Sequence, residues 1–223
     1  MLELLRSVPQ LDDALARGHR DRCYDCFRPA VDCFCETIPR IANRTEVLIL
    51  QHRQERFHAF NTARIVRQAL QNSVLLIDRT KRLAERMVLR PGAGLLYPGP
   101  GAQMLTAEAI DRPQQLVVLD GTWHHTKTLL RDLPALQALP RYQLQPAEPS
   151  RFRIRLEPQA TCLSTVEATV AALRLLEPET TGFDQLLAAF DRMVERQLAR
   201  AAKFYPLAAA ENYTAAKSIH EAL

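Results

Sequence analysis

The stretch QLVVLDGTW, residues 115–123, constrains the fold more than any other part of the chain. Its apolar run, residues 116–119, is short and unbroken, which is typical of a strand buried on both faces of a parallel sheet. The run ends in a carboxylate, Asp120. Because open α/β sheets bind ligands at the carboxyl ends of their strands, Asp120 is a candidate site residue. The alternative is that Asp120 only caps the helix that follows.

A tight turn and a helix follow this strand. Gly121 permits the sharp turn, and Thr122 is a good helix N-cap. A helix from Trp123 to Arg131 is then predicted, ended by Pro134.

Short apolar runs and helical patterns alternate through the middle of the chain. Further strands are predicted at residues 45–51, 73–77, 95–97 and 142–145, and further helices at residues 9–17, 61–71, 164–176 and 183–205. This alternation predicts an α/β fold with a mostly parallel sheet and flanking helices. We expect residues 1–40 to form an N-terminal helix and a cysteine-rich knuckle, residues 41–205 the α/β domain and residues 206–223 a tail.

Composition and charge narrow the classes of partner. The 223 residues contain no apolar stretch near the roughly 20 residues needed to cross a bilayer. The N-terminus lacks the apolar segment of a signal peptide, so a cytoplasmic protein without membrane contact is expected. The net charge is only +4, but seven basic and two acidic residues lie between Arg64 and Arg90. Such clustering favours phosphate binding, the alternative being a solvated surface.

Four of the five cysteines lie within 13 residues. They are Cys23, Cys26, Cys33 and Cys35, with the spacing C-x2-C-x6-C-x-C. In a cytosolic chain this predicts a closed tetrahedral zinc site with a structural role, rather than disulfides or free buried thiols. Arg20, Arg22 and Arg28 are close enough in sequence to offset the negative charge. Zinc knuckles can also contact RNA.

The segment SRFRIR, residues 150–155, alternates basic and apolar side chains. If it is extended, Arg151, Arg153 and Arg155 point to one side, and it forms an edge segment that offers three guanidinium groups to phosphates. The alternative is an exposed edge strand blunted by charge.

A capping box, Ser164 to Glu167, opens the next helix. Helix N-termini near Thr122 and Ser164 are suited to receive an anionic group. Of the adjacent pair His124 and His125, one is expected to pack and the other to be exposed. No nucleophile-elbow, dinucleotide-binding or P-loop pattern is present in the sequence.

Five motifs in order resemble the DTW-domain family, and within it the bacterial tRNA-uridine aminocarboxypropyltransferases. They are the four-cysteine cluster, Asn61-Thr62, DGTW at residues 120–123, SRFRIR from Ser150, and LSTVEA at residues 163–168. One position departs from the family, which often has a proline after the histidine that ends the first strand. Here Arg53 follows His52.

The resemblance implies a SPOUT-like fold with a knotted C-terminal part and S-adenosylmethionine as donor. Its 3-amino-3-carboxypropyl group would pass to N3 of a uridine in tRNA, and 5′-methylthioadenosine would leave. tRNA is the implied partner, and no obligate protein partner is evident. Two alternatives are an S-adenosylmethionine-dependent RNA methyltransferase and a non-catalytic zinc-knuckle RNA-binding protein.

Within that reaction, Asp120 is the candidate general base for the N3 proton, the alternative being a role in holding the donor's ammonium group or ribose. The donor-binding candidates are Gly121, Thr122, Trp123, Ser164 and Thr165. Ser164 and Thr165 would hold the donor's carboxylate. Trp123 would stack on the adenine or on the target uracil, the alternative being that it packs in the core. Arg151, Arg153 and Arg155 are assigned to tRNA phosphates.

Overall fold

Six parallel strands form the central sheet of the computed structural model, which describes residues 21–204 except 59, 109–111, 147 and 155–161. The strands are β1 (Glu46–His52), β2 (Ser73–Asp78), β3 (Ala93–Leu96), β4 (Gln103–Met104), β5 (Gln115–Asp120) and β6 (Arg141–Gln143). Their order across the sheet is β2-β1-β5-β3-β6-β4, and all pairings are parallel. The predicted α/β class is confirmed.

Helices cover both faces of this sheet. They are α1 (Thr62–Ala69), α2 (Thr80–Arg86), α3 (Trp123–Asp132), α4 (Pro134–Gln137), α5 (Thr165–Leu176) and α6 (Phe183–Phe204), with short 3-10 helices at Ala30–Asp32, Cys35–Thr37 and Arg53–Glu55. The predicted helix at residues 9–17, the tail 206–223, Arg20 and Arg155 lie outside the described residues.

The central strands β1 and β5 are buried on both faces, as their unbroken apolar runs predict. Alternate residues point to opposite faces of a strand. Ile49 and Val118 face the layer formed by α1, α5, α6 and the cysteine segment. Leu48 and Val117 face the layer formed by α2, α3 and α4. In the register of these two strands, Gln51 lies beside Asp120.

Two local predictions differ from the structure. The two-residue strand β4 has no apolar run and was not predicted; it pairs with β6 at the edge of the sheet. The expectation that SRFRIR is an extended edge segment is wrong for its described residues, 150–154. Arg153 N–H donates to the Arg151 carbonyl at 2.9 Å, which makes a turn.

Among the described residues, no helix combines the length and the apolar character needed to cross a membrane.

Candidate active site

Asp120 is the last residue of β5 and is buried with its carboxylate at the carboxyl end of the sheet. Gln51 donates a hydrogen bond to its Oδ2 at 2.6 Å from the neighbouring strand β1. The Thr165 hydroxyl donates to its Oδ1 from the first turn of α5. Both carboxylate oxygens therefore accept a bond, which fixes the orientation of the group.

Gln51 extends this arrangement to a third element. Its Nε2 also donates to Oδ1 of Asn61 at 3.0 Å. The same Asn61 oxygen accepts the backbone N–H of Arg64, which confirms Asn61 as the predicted N-cap of α1. Sequence reasoning gave Gln51 no role. The one available signal was an amide side chain at the end of an apolar run, where an unpaired polar group is costly to bury.

Glu55 holds the turn that follows Asp120 through contacts with two of its neighbours, Thr122 and His125. Oε1 of Glu55 accepts the Thr122 backbone N–H at 3.3 Å and lies 2.9 Å from Nδ1 of His125. Gly121 has a φ of 154°, and a Cβ there would lie 2.9 Å from Cβ of His125. Glycine is therefore required at this turn. The Thr122 hydroxyl accepts His125 N–H at 3.2 Å, as expected of an N-cap.

Two stacked histidines complete the support of this turn. The rings of His52 and His125 are 4.1 Å apart and nearly parallel. Burial, and then the neighbouring His125, lower the pKa of His52 below its usual value. His124 is exposed while His125 is half-buried, so the expectation of one packed and one exposed histidine is confirmed. No sequence pattern indicated the contacts that Glu55 and His52 make with His125.

A cavity of about 580 Å³ opens over Asp120 and the turn that follows it. Its walls come from the carboxyl ends of β3, β5 and β6, from the segment after β1 and from the start of α5. The volume lies in the usual range for small-ligand sites, roughly 300–1,000 Å³. Trp123 lines it, is 37% exposed and meets the Tyr97 ring edge-on at 6.2 Å. Core packing of Trp123 is therefore excluded.

The start of α5 contributes two hydroxyl side chains that behave differently. Ser164 forms the predicted capping box with Glu167: its hydroxyl oxygen accepts the Glu167 N–H, and its backbone N–H donates to Oε2 of Glu167 at 2.9 Å. The Ser164 hydroxyl also donates to that oxygen, at 2.6 Å. Glu167 also accepts the Ser150 hydroxyl and the Arg151 N–H, at 2.7 and 2.6 Å. Thr165, in contrast, directs its hydroxyl to Asp120. Both side chains line the cavity.

Glu167 explains why SRFRIR turns instead of extending, because its carboxylate holds the backbone at Arg151. Phe152 is buried against Phe190, whereas Arg151 and Arg153 remain exposed. Arg151 forms an ion pair with Asp191 at 3.0 Å. Two of the three predicted phosphate-binding arginines are thus on the surface.

The four-cysteine cluster has the geometry of a metal centre. All four Sγ atoms lie within 4.8 Å of one another, with Cys23 3.8 Å from Cys35 and Cys26 4.0 Å from Cys33. A tetrahedral zinc with Zn–S bonds of about 2.3 Å implies sulfur separations of about 3.8 Å. These distances are also far longer than a disulfide of about 2.05 Å. The residues present therefore fit a zinc ion.

The surroundings of the cluster affect the charge of its thiols and supply one buried positive charge. Burial raises the pKa of the Cys26 and Cys35 thiols, while backbone hydrogen bonding lowers that of Cys23 to about 7. Four thiolates in this environment need a bound cation and a further positive charge. Arg28 is buried beside them, its guanidinium lies 5.2 Å from the centre of the Phe34 ring, and its Nη2 has no hydrogen-bond partner among the described residues.

Comparisons with known proteins agree on one family. The DTW domain family model matches residues 20–198. The tRNA-uridine aminocarboxypropyltransferase 2 of Drosophila melanogaster is 31% identical over 173 residues, which cover 72% of this chain and 68% of that protein. The enzyme of the same name from Mus musculus is 26% identical, covering 82% of this chain and 66% of that protein. tRNA-uridine aminocarboxypropyltransferase A of Arabidopsis thaliana is 26% identical, covering 86% of each.

The chain spans about two thirds of the length of these animal relatives. No solved structure matches it. The relatives come from animals and a plant, so they do not support the expected bacterial branch. The family model covers most of the chain, and the Drosophila enzyme is 31% identical over 72% of it. The chain belongs to the DTW domain family.

Proposed function

We propose that this protein transfers the 3-amino-3-carboxypropyl group of S-adenosylmethionine to N3 of a uridine in tRNA and releases 5′-methylthioadenosine. The observation that carries the proposal is the cavity over Asp120, lined in part by residues of the DGTW and LSTVEA motifs, in a chain whose relatives are named tRNA-uridine aminocarboxypropyltransferases. Those names favour neither a methyltransferase nor a non-catalytic RNA-binding protein.

The cavity offers distinct surfaces for the parts of the donor. When bound, S-adenosylmethionine supplies an electrophilic carbon beside a sulfonium, so alignment matters more than further activation. Trp123 and Tyr97 present ring surface to a purine or to the target uracil. The N-terminus of α5 at Thr165 is suited to the donor's carboxylate. Gly121 lines the same wall, and Ser164 shapes it while held in its capping box. Thr122 does not line the cavity; it fixes the turn as the N-cap of α3.

Asp120 removes the N3 proton of the uracil in this proposal. Uracil N3 is a poor nucleophile until that proton is lost. The bonds from Gln51 and Thr165 hold the carboxylate in one orientation toward the cavity. The tRNA is bound at its phosphates by Arg151, Arg153 and Arg155, of which the first two are exposed near the start of α5.

We also propose that the C-terminal part is knotted, as in SPOUT-like folds. Support comes from the order of the strands, because residues 97–102 join β3 to β4 across β6, which lies between them. The chain after β6 then returns to Thr165 beside β5. A crystal structure traced through residues 144–164 tests this topology.

The transfer itself is tested by incubating the protein with bulk tRNA and S-adenosylmethionine. Nucleoside mass analysis should show 3-(3-amino-3-carboxypropyl)uridine, with methylthioadenosine released in equal amount. A methylated uridine, or no modified uridine, contradicts the proposal.

The structural zinc has a separate test. Metal analysis should give one zinc per chain, lost in Cys33→Ser and kept in Cys162→Ser, since Cys162 lies outside the four-cysteine cluster. Zinc retained by Cys33→Ser contradicts the site.

A further inference from the structure

The segment that follows β1 carries an exposed aromatic side chain next to residues that line the cavity. Phe57 is 63% exposed among the described residues. The half-buried ring of Phe27 lies 5.6 Å from that of Phe57, tilted by 60°. Exposed aromatic surface of this kind is typical of interaction sites.

Two arginines stack on these rings. The Arg64 guanidinium lies 3.9 Å from the centre of the Phe27 ring, and that of Arg56 lies 5.1 Å from the centre of the Phe57 ring. Arg64 Nη2 also donates to the Arg56 carbonyl at 2.9 Å. The two ring–guanidinium pairs are therefore linked into one surface, which we name the aromatic patch: Phe27, Arg56, Phe57 and Arg64.

The position of Phe27 is maintained against a local backbone preference. Its φ is 59°, and no other non-glycine residue in the described part of the chain has a positive φ. A bulky residue in this left-handed region is a strained arrangement, and such strain clusters at functional sites. Here it places the ring between Arg64 and Phe57.

The aromatic patch borders the cavity through one short segment. Phe57 stands between residues that line the cavity, Glu55 on one side and His58, Phe60 and Asn61 on the other. This wall of the cavity and three members of the patch therefore belong to the same segment, residues 55–64.

We propose that the aromatic patch binds unpaired nucleotides of the RNA substrate that flank the modified uridine, by stacking their bases on Phe57 and Phe27. The proposal rests on the proposed function for its choice of RNA. Proteins recognise unpaired RNA by stacking bases on aromatic and guanidinium planes, and the arginines complement the phosphates. An acidic protein would meet the same charge but would not require planar rings.

The test compares Phe57→Ala with Val88→Ala. Both wild-type side chains are 63% exposed, but Val88 lies at the opposite end of the sheet, where its carbonyl accepts from Gln115. Loss of one stacked base should weaken binding of bulk tRNA by about 5- to 100-fold in Phe57→Ala. Val88→Ala should bind as wild type. Phe57→Trp should keep tight binding and Phe57→Leu should not, because only the first retains a planar ring.

The same variants separate this proposal from the proposed function. The Michaelis constant for tRNA should rise in Phe57→Ala while that for S-adenosylmethionine stays constant, and zinc content and melting temperature should match wild type. Wild-type tRNA affinity in Phe57→Ala, or equal affinity of Phe57→Leu and Phe57→Trp, overturns the aromatic patch even where transfer is intact. Weakened tRNA binding in Phe57→Ala, with no transfer by the wild type, supports the patch and overturns the proposed function.

Discussion

Each end of the sheet holds a buried carboxylate, and the hydrogen-bond partners of the two carboxylates differ. At the carboxyl end, Asp120 accepts hydrogen bonds from two side chains and faces the cavity. At the amino end, Glu177 directly follows α5 and is 1% exposed. It accepts the backbone N–H groups of Arg44 at 2.8 Å and Thr45 at 3.3 Å, just before β1.

This difference separates a structural carboxylate from a chemical one. Glu177 satisfies backbone groups that would cost about 1–3 kcal/mol each if buried without a partner. Its bonds tie the end of α5 to the start of β1, and this accounts for its burial. Asp120 is held in place at an open cavity, where its orientation serves a bound molecule. Burial by itself would not have told the two apart.

Asp120→Asn gives the largest expected effect. The amide keeps the shape of the side chain but cannot accept the uracil proton, so kcat should fall about 10²- to 10⁴-fold. The measurement is the initial rate of modified uridine formation at saturating tRNA and donor, together with the dissociation constant for S-adenosylmethionine.

The donor affinity decides between the two roles of Asp120. A proton-accepting role leaves the dissociation constant for S-adenosylmethionine nearly unchanged. A matching loss of donor affinity would assign Asp120 to holding the donor, and full activity would remove it from the reaction.

Glu177→Gln is expected to have the opposite effect to Asp120→Asn: a loss of stability without a loss of kcat. A hydrogen bond to a charged group contributes about 1.5–3 kcal/mol, so the free energy of unfolding should fall by about that amount. The kcat of the folded fraction should stay at the wild-type level, because Glu177 lies at the far end of the sheet from the cavity. Denaturant unfolding and the transfer assay measure the two quantities. A large loss of kcat with unchanged stability would contradict the comparison of the two ends.

The local part of the carboxyl end follows from short sequence patterns. The apolar run of β5, the caps at Thr122 and Ser164, and the placement of Asp120 at a strand end each depend on neighbours within a few residues. The cysteine cluster is of the same kind, because its ligands lie within 13 residues. Such features are recoverable from one sequence.

The contacts that make the site specific are not local. Gln51 and Thr165 reach Asp120 from 69 and 45 positions away, and Glu55 reaches His125 from 70. The order of the strands decides these meetings, and hydrophobic periodicity does not encode it. The prediction that SRFRIR is extended was wrong for a related reason. The backbone N–H of Arg151 donates to Glu167, 16 positions away, and is therefore not free to pair with a neighbouring strand.

Thr165→Val tests the smaller contribution of orienting Asp120. Removal of one hydrogen bond to a charged carboxylate should lower kcat about ten-fold. Thr169→Val is the matched control: it makes the same change one turn along α5, where the Thr169 hydroxyl donates to the Thr165 carbonyl at 2.7 Å. The control should lose some stability and no kcat. Equal kcat values for the two variants would show that Thr165 does not position Asp120.

The smallest expected effect concerns pH and the stacked histidines at the carboxyl end. The pKa of His52 is lowered in the folded protein, first by burial and then by His125, with Glu55 opposing the shift. Below the unfolded pKa of about 6.5 the unfolded chain binds more protons than the folded protein, so stability falls as the pH drops through that value.

His52→Asn keeps an acceptor for the Gln54 N–H and removes the titrating group. Its melting temperature should therefore fall less than that of wild type between pH 7 and pH 5, and Glu177→Gln should retain the full wild-type pH dependence from His52. An equal decline in His52→Asn and wild type would show that the stacked pair at the carboxyl end does not contribute to acid sensitivity.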